Sequence, residues 1–465
     1  MTLRTKLFIV ANFVVIAVLL YALDTFFIQS PKGFDAEKIV RESVFRDRTF
    51  AVKPVEIVTP KGFKIWALEE HSAPLIAFNL SFKRAGFAYD PALKEGLSYM
   101  TSCLMLDGAG AYNTERLNTL LELNGIKLGF NVSAEDFEVS MLTPSENKEI
   151  AFKLLSAVLI HPHFTLSDIK VLQAKLQEAL KAETENPEKV LSLAYKKVIF
   201  KENPLGRNKL GTAESVSNIT QTDLKKYVSS SLAKNNMTIA AAGDFERDEI
   251  ALLADSALSK LSDENTKAEL EKPLIDYEQS PKHLERQIPQ IISIFALPGV
   301  QRLSEDFYPL YVANYILGGS GLTSRLNIRA REKEGLTYGI STALNTDKNA
   351  PRIEGTFSAS EQNYTQMRQI LTSELQKLAK DGVFEEEFEK AKNSMLSSFN
   401  LRFLSVADIS AMLLEMQKQN LGLDFLQKRN DYVKNIQFFD VNRVAKKYFN
   451  IKPVEITIGN KKFTE

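Results

Sequence analysis

The sequence predicts an α+β protein, with an N-terminal membrane helix followed by two homologous domains, each an antiparallel sheet packed with helices. Three observations carry this expectation. Residues 7–23 are almost continuously apolar (LFIVANFVVIAVLLYAL), with Arg4 and Lys6 before them and Asp24 after. An order of strand-period and helix-period segments recurs at an offset of roughly 215 residues, too long for a solenoid repeat and suited to a duplicated domain. The two copies are separated by residues 262–282 (SDENTKAELEKPLIDYEQSPK), a polar, charged run with two prolines and the composition of a linker. The organisation expected is 1–24 anchor or signal, 25–50 tether, 51–261 first domain, 262–282 linker and 283–465 second domain.

The apolar segment is at the short end of what spans a bilayer, and the positive charges before it place its N-terminus on the cytoplasmic side. A cleaved signal peptide is the alternative, but no convincing small-residue cleavage site follows. Either reading exports the rest of the chain. The first copy then opens with an extended apolar segment, Pro74 to Phe82, and a helix from about Leu93 to Leu106. Ile126, Leu128, Phe130 and Val132 alternate by two, as do Phe137, Val139 and Met141, so two strands with one buried face flank a turn at Ser133–Asp136. Helical spacing follows over Glu146–Leu159, and again after Ser167, an N-cap candidate, through Ile169, Leu172, Leu176 and Leu180. Met237 to Ala242 closes the copy as a strand.

The second copy repeats the order. Ile288–Ala296 reads as a strand and Asp306–Leu317 as a helix. Leu336–Ala343 and Arg352–Ala359 read as paired strands, Gln362–Ala379 and Phe384–Phe399 as helices, and Val454–Ile458 as the last strand. The mixture suggests sheets covered on one side by helices.

Composition excludes several classes. With 58 Lys+Arg against 58 Asp+Glu the net charge is zero, which argues against nucleic-acid binding. The single cysteine, Cys103, rules out an intrachain disulfide and a cysteine-cluster metal site. The only histidines are His71, His161, His163 and His283.

Two stretches carry a family resemblance. Arg84–Gly108 (RAGFAYDPALKEGLSYMTSCLMLDG) resembles the segment of the pitrilysin/insulinase family of zinc metallopeptidases that reads approximately G-L-A-H-F-L-E-H-M-x-F-x-G, with Gly96-Leu97 and Gly108 holding the frame. Leu317-Gly-Gly-Ser-Gly, Ser324-Arg-Leu and Arg331-Glu-Lys-Glu-Gly-Leu-Thr-Tyr338 resemble the family's second-domain segment L-G-G-x-x-S-S-R-L followed by R-E-K-x-G-L-x-Y. The resemblance implies two metallopeptidase-like domains.

It also implies a zinc site that this chain has lost. The inverted H-x-x-E-H motif puts two imidazoles one turn apart on a helix, with a glutamate beside them as general base. In this frame those positions are Tyr99, Ser102 and Cys103. The family's third ligand, a glutamate on a later helix, falls on Ala179 counting back from Pro187, with Glu178 adjacent. One thiol cannot assemble a four-coordinate site, so no catalytic residue, no metal ligand and no cofactor is assigned to this chain. Cys103 is expected on the inward face of its helix as a small buried side chain. His161 and His163 (H-P-H) read as a structural loop rather than a chelate.

The substrate-binding residues implied by the resemblance are present. Arg331 and Tyr338 match the family's arginine–tyrosine pair, whose guanidinium and phenol bind peptide carbonyls near the scissile bond. The competing expectation is a salt bridge from Arg331 to Glu332 or Glu334 and a half-buried Tyr338. Gly318–Gly321 is not a phosphate loop; it reads either as a helix C-cap or as a tight or mobile turn that admits peptide. Some family members are heterodimers in which one subunit keeps the zinc motif and the other keeps the pair. The sequence therefore predicts a non-catalytic, substrate-binding subunit, inactive alone. A homologous partner would supply Zn²⁺, peptides would be the substrates, and the chain would be membrane-anchored on the periplasmic side of the inner membrane. The alternative is an inert scaffold with the same fold.

Overall fold

The computed structural model describes residues 53–460 apart from residue 279. The predicted anchor and tether lie outside the described residues. Among the described residues no helix is long and apolar enough to cross a membrane. The described residues form one compact unit, a mixed α+β body built on two sheets.

The first sheet has six strands: β1 (Val55–Val58), β2 (Lys64–Glu69), β3 (Leu75–Lys83), β4 (Lys127–Val132), β5 (Asp136–Pro144) and β6 (Met237–Gly243). They lie in the order β1-β2-β6-β3-β5-β4, with only β2 and β6 parallel. The second has five: β7 (Lys282–Glu285), β8 (Gln290–Pro298), β9 (Ile340–Asn345), β10 (Arg352–Ser360) and β11 (Val454–Gly459), ordered β7-β11-β8-β10-β9 with only β7 and β11 parallel. The run β2-β6-β3-β5-β4 therefore recurs strand for strand as β7-β11-β8-β10-β9.

The central strands of each sheet bury both faces, where the sequence suggests one. On β3 the residues Ile76, Phe78, Leu80 and Phe82 enter the main core, with Phe78 edge-on to Phe152 of helix Lys148–Ile160 at 4.8 Å. The opposite face carries Ala77, Asn79 and Ser81 and continues into Ala240 and Ala242 of β6. These side chains are too small to fill a core themselves, and they let helix Val406–Lys418 lie close through Val406, Ile409 and Leu413. Ser410 Oγ and Gln417 Nε2 of that helix donate to the carbonyls of Ala240 (3.2 Å) and Ile239 (2.8 Å).

The second sheet mirrors this. Ile291, Phe295 and Leu297 face helices Glu361–Asp381 and Phe438–Phe449. Val454, Ile456 and Ile458 join the first core, against helix Pro187–Phe200. Each sequence half thus lends a helix to the other's sheet. A one-sided reading followed from periodicity alone, which cannot show that a small-residue face is an acceptor for a distant helix.

Polar contacts lock this exchange. Lys418 pairs with Asp136 (2.9 Å) and Glu138, which hold its ammonium above the usual lysine range against the cost of burial. Buried Arg352 donates to Tyr195 Oη (3.2 Å) and Glu354 (2.9 Å).

Element boundaries shift for local reasons. The first site helix begins at Leu97 because Gly96 takes a left-handed φ of 91°. The next long helix, Leu166–Glu185, is capped by Thr165 rather than Ser167, with Thr165 Oγ1 accepting from Asp168 N. The predicted linker is docked at its start, where buried Asn265 accepts from Lys267 N (2.9 Å) and Lys267 sits over the Tyr227 ring at 5.2 Å.

Overfilling the small-residue face tests the helix exchange. Ala240→Leu is expected to destabilise the chain by about 1–3 kcal/mol, the usual range for overpacking. Urea unfolding checks it; an unchanged midpoint would mean that helix 406–418 does not rest on that face.

Candidate functional site

Helix Leu97–Leu104 carries Tyr99, Ser102 and Cys103, and its start is fixed from outside the helix. Gly96 has no side chain to cap with. Buried Asp90 instead accepts from Gly96 N (3.1 Å), Ser98 N (3.1 Å) and Ser98 Oγ (3.0 Å). These bonds satisfy the free N–H groups of the first turn. Burial nevertheless pushes the Asp90 carboxyl up to about 7, outweighing those donors and the nearby Lys267 charge. Gly96 is obligatory for a second reason: a Cβ there would stand 2.6 Å from the Leu210 carbonyl oxygen. The loop through residues 207–211 is therefore pressed onto the helix start, and Arg207 fastens it by donating to the Asp90 carbonyl (2.7 Å) and pairing with Glu95 (3.1 Å).

That loop delivers Lys209 to Tyr99 and Cys103. Its ammonium lies 4.9 Å from the centre of the Tyr99 ring, and its charge acts on Cys103. Tyr99 is partly buried and its phenol is pushed up, first by burial, then by Cys103 and Glu183. Ser102 Oγ spends itself on the Tyr99 carbonyl at 2.7 Å. Cys103 is exposed, not inward-facing as expected. The inward face of this short helix is taken by Met100, Thr101 and Leu104, and position 103 falls on the open side. Protein mass around the opening still pushes the thiol up; its contacts with Tyr99 and Ser102 and the Lys209 charge pull the other way.

The acidic residue acting on Tyr99 is Glu183, one turn beyond Ala179. Asn208 Nδ2 donates to Glu183 at 2.7 Å, so the same loop engages both ends of the centre. Glu183 also lines an open cleft of about 980 Å³ between helices 166–185 and 187–200 and β7, with Leu180, Val190, Leu193 and Leu284. The donor set does not fit zinc. Tyr99, Ser102 and Cys103 offer a phenol, a hydroxyl and one thiol, a lysine cation stands beside them, and among the described residues no group of three or more His, Cys, Asp or Glu could hold a metal ion. Sequence spacing pointed to Ala179 and missed Glu183, Lys209 and Asp90. Glu183 was within one turn of the counted position, whereas nothing local to Lys209 signals its role.

The H-P-H histidines lie elsewhere. His163 Nε2 donates to the Gly110 carbonyl at 2.9 Å, and its backbone N–H donates to Gly108 at 3.0 Å. His161 is exposed.

Arg331 and Tyr338 both lie on the connection into edge strand β9. Arg331 belongs to a π-helical turn, Ile328–Lys333, a conformation enriched at functional sites. Both side chains stand in solvent, Tyr338 85% exposed. Neither makes a hydrogen bond, ion pair or ring contact among the described residues. The alternative expectations fail here: Glu334 is taken by Arg329 (3.3 Å) and Gln366 (3.1 Å), and Tyr338 is not half-buried. The glycine run before them forms a second π-helical turn, Tyr315–Gly319. A Cβ on Gly318 would meet Thr342 Oγ1 of β9 at 2.5 Å, so glycine is needed for close packing on that strand. No hydrogen bond or ion pair among the described residues joins this pair to helix 97–104.

Comparison with known proteins gives the same family. The family model described as insulinase (peptidase family M16) matches residues 67–213, and that described as the peptidase M16 inactive domain matches residues 218–395. A Helicobacter pylori protein named non-peptidase homolog YmxG is 24% identical over 398 residues, 85% of this chain and 91% of its own length. An uncharacterized zinc protease of Mycobacterium leprae is 26% identical over 250 residues, 53% of this chain and 56% of its own. The crystal structure of a peptidase M16 inactive domain from Pseudomonas fluorescens shares the fold, with a TM-score of 0.81 at 23% identity over 88% of this chain and 98% of that one.

Two titrations probe the site. Cys103 is the only thiol, so its alkylation rate against pH should show a midpoint above the ~8.5 of a free cysteine. Lys209→Met, which removes a cation that favours the thiolate, should move it higher still; a midpoint below that of free cysteine would contradict the geometry. Asp90 titrates near 4 unfolded and near 7 folded, so the folded state holds its proton more tightly. Its contribution is full below about pH 4 and lost as pH rises to about 7. Against Asp90→Asn, the parent should therefore lose stability across that window; parallel curves would refute the buried carboxyl.

Proposed function

The chain belongs to the insulinase (peptidase M16) family, and from that premise we propose that it is a non-catalytic, substrate-binding subunit of a two-chain zinc peptidase. The observation that carries the reading is the contrast between its two motifs. The ligand positions hold Tyr99, Ser102 and Cys103 beside Lys209, a set unsuited to zinc. Arg331 and Tyr338 are kept, exposed and free of protein partners among the described residues, although a π-helical turn and a close glycine contact are spent on holding their segment.

A homologous partner would bring Zn²⁺, the activated water and the general base. This chain would bind the extended peptide, with the Arg331 guanidinium and the Tyr338 hydroxyl donating to its carbonyls. The free edges of β4 and β9 offer main-chain pairing as well. The apolar segment at residues 7–23 would hold the pair at a membrane, with the bulk on the exported, periplasmic side. The name of the Helicobacter pylori relative, a non-peptidase homolog, supports a non-catalytic role.

Arg331→Ala and Tyr338→Phe are expected to slow peptide cleavage by the assembled pair, by on the order of 100-fold if the lost donor serves the transition state, without dissociating it. Steady-state kinetics alongside size-exclusion chromatography would check both halves of this. Unchanged rates with an intact pair would leave the fold serving as an inert scaffold.

A further inference from the structure

Three arginines act on one another around the Phe399 and Phe425 rings, and no carboxylate pairs with any of them among the described residues. Arg302 lies in the loop after β8, Arg402 in the turn Asn400–Phe403, and Arg429 in helix Phe425–Lys434. Arg429 is only 9% exposed. Its guanidinium stacks 4.3 Å from the centre of the Phe399 ring. Nη1 donates to the Met395 carbonyl (2.9 Å) and to Asn430 Oδ1 (3.1 Å). Its Nε and Nη2 donors have no acceptor among the described residues. That unspent edge is the fork with which arginine grips an anion. Arg302 is clamped by its faces, 3.9 Å over Phe307 and 5.3 Å over Phe425, and donates from Nη2 to Tyr308 Oη at 3.1 Å.

No ion pair among the described residues reaches any of the three, whereas buried Arg352 has both Asp347 and Glu354. Burial, then the charges of Arg402 and Arg302, pull Arg429 down to about 10 against the Tyr308 and Tyr311 phenols. Gathering like charges around a buried guanidinium is unfavourable unless an anion joins them.

We propose that Arg302, Arg402 and Arg429 form a binding site for a phosphoryl group. Three guanidiniums exceed what one carboxylate can neutralise, while a phosphoryl group brings nearly two negative charges and three acceptor oxygens. The neighbours of these arginines in the chain add apolar surface: Leu401 and Leu404 are 65% and 76% exposed, and Leu303 is exposed too. A cationic centre with an apolar rim suits either the headgroup of an anionic phospholipid or a small soluble phosphate.

The test uses the full-length chain in detergent, titrated with inorganic phosphate, glycerol 3-phosphate and acetate at constant ionic strength. The same chain is then reconstituted in bilayers of phosphatidylcholine with or without phosphatidylglycerol. Thermal stabilisation is the readout. Saturable stabilisation by the soluble phosphates assigns a small phosphate; stabilisation by phosphatidylglycerol alone assigns a lipid headgroup. Either should weaken roughly tenfold or more in the double variant Arg302→Gln, Arg402→Gln, and Arg429→Lys should weaken it while keeping the charge. The double variant alters side chains that reach solvent, so it keeps the test decisive if Arg429 variants fail to fold. Acetate binding as tightly as phosphate, equal responses of parent and double variant, or no saturable response to any phosphoryl probe would overturn the site.

Discussion

The structure depends on one packing constraint, the small-residue face of the first sheet. Ala77, Asn79, Ser81, Ala240 and Ala242 leave a shallow bed, and helix 406–418 fills it with Ile409, Leu413 and their neighbours. The helix belongs to the second half of the sequence, so seating it fixes one sheet against the other. Helix 187–200 does the reciprocal service on β8 and β11. The centre at helix 97–104 and the exposed pair before β9 are therefore carried by a single compact body rather than by two independent domains on a string.

Within that body the start of helix 97–104 and the side chains it presents answer to different demands. Gly96 persists because its backbone conformation and its contact with the Leu210 carbonyl allow no side chain. Asp90 stays buried because it caps the helix that Gly96 begins. The positions that would bind metal answer to neither demand. Tyr99, Ser102 and Cys103 stand there, with Lys209 supplying the local positive charge. Around Arg331 and Tyr338 the balance is reversed. Asn327, Gly318 and Thr337 are tied into β9 and β10, while the two side chains they support make no use of the protein.

Much of this was legible in the sequence. Period-two runs such as Phe137-x-Val139-x-Met141 marked strands because one face of each meets a core. The repeated order of segments foreshadowed the recurring strand order. What escaped notice was decided by residues distant in the chain. Helix 406–418 has an apolar stripe, but no local pattern says which sheet receives it. An eight-residue helix gives too few apolar positions to fix its phase, so periodicity alone turns Cys103 inward. Glu183 and Lys209 became part of the centre only when the loop at 207–211 folded onto the helix start, a contact that no spacing rule encodes.

The most direct test of a split peptidase is affinity purification of the tagged full-length chain from detergent-solubilised cells of its source, with mass spectrometry of what co-purifies near 1:1. The account predicts a similar-sized homologous partner carrying an intact H-x-x-E-H and a downstream glutamate. Recovery of the chain alone, or within a large assembly lacking such a partner, would contradict it.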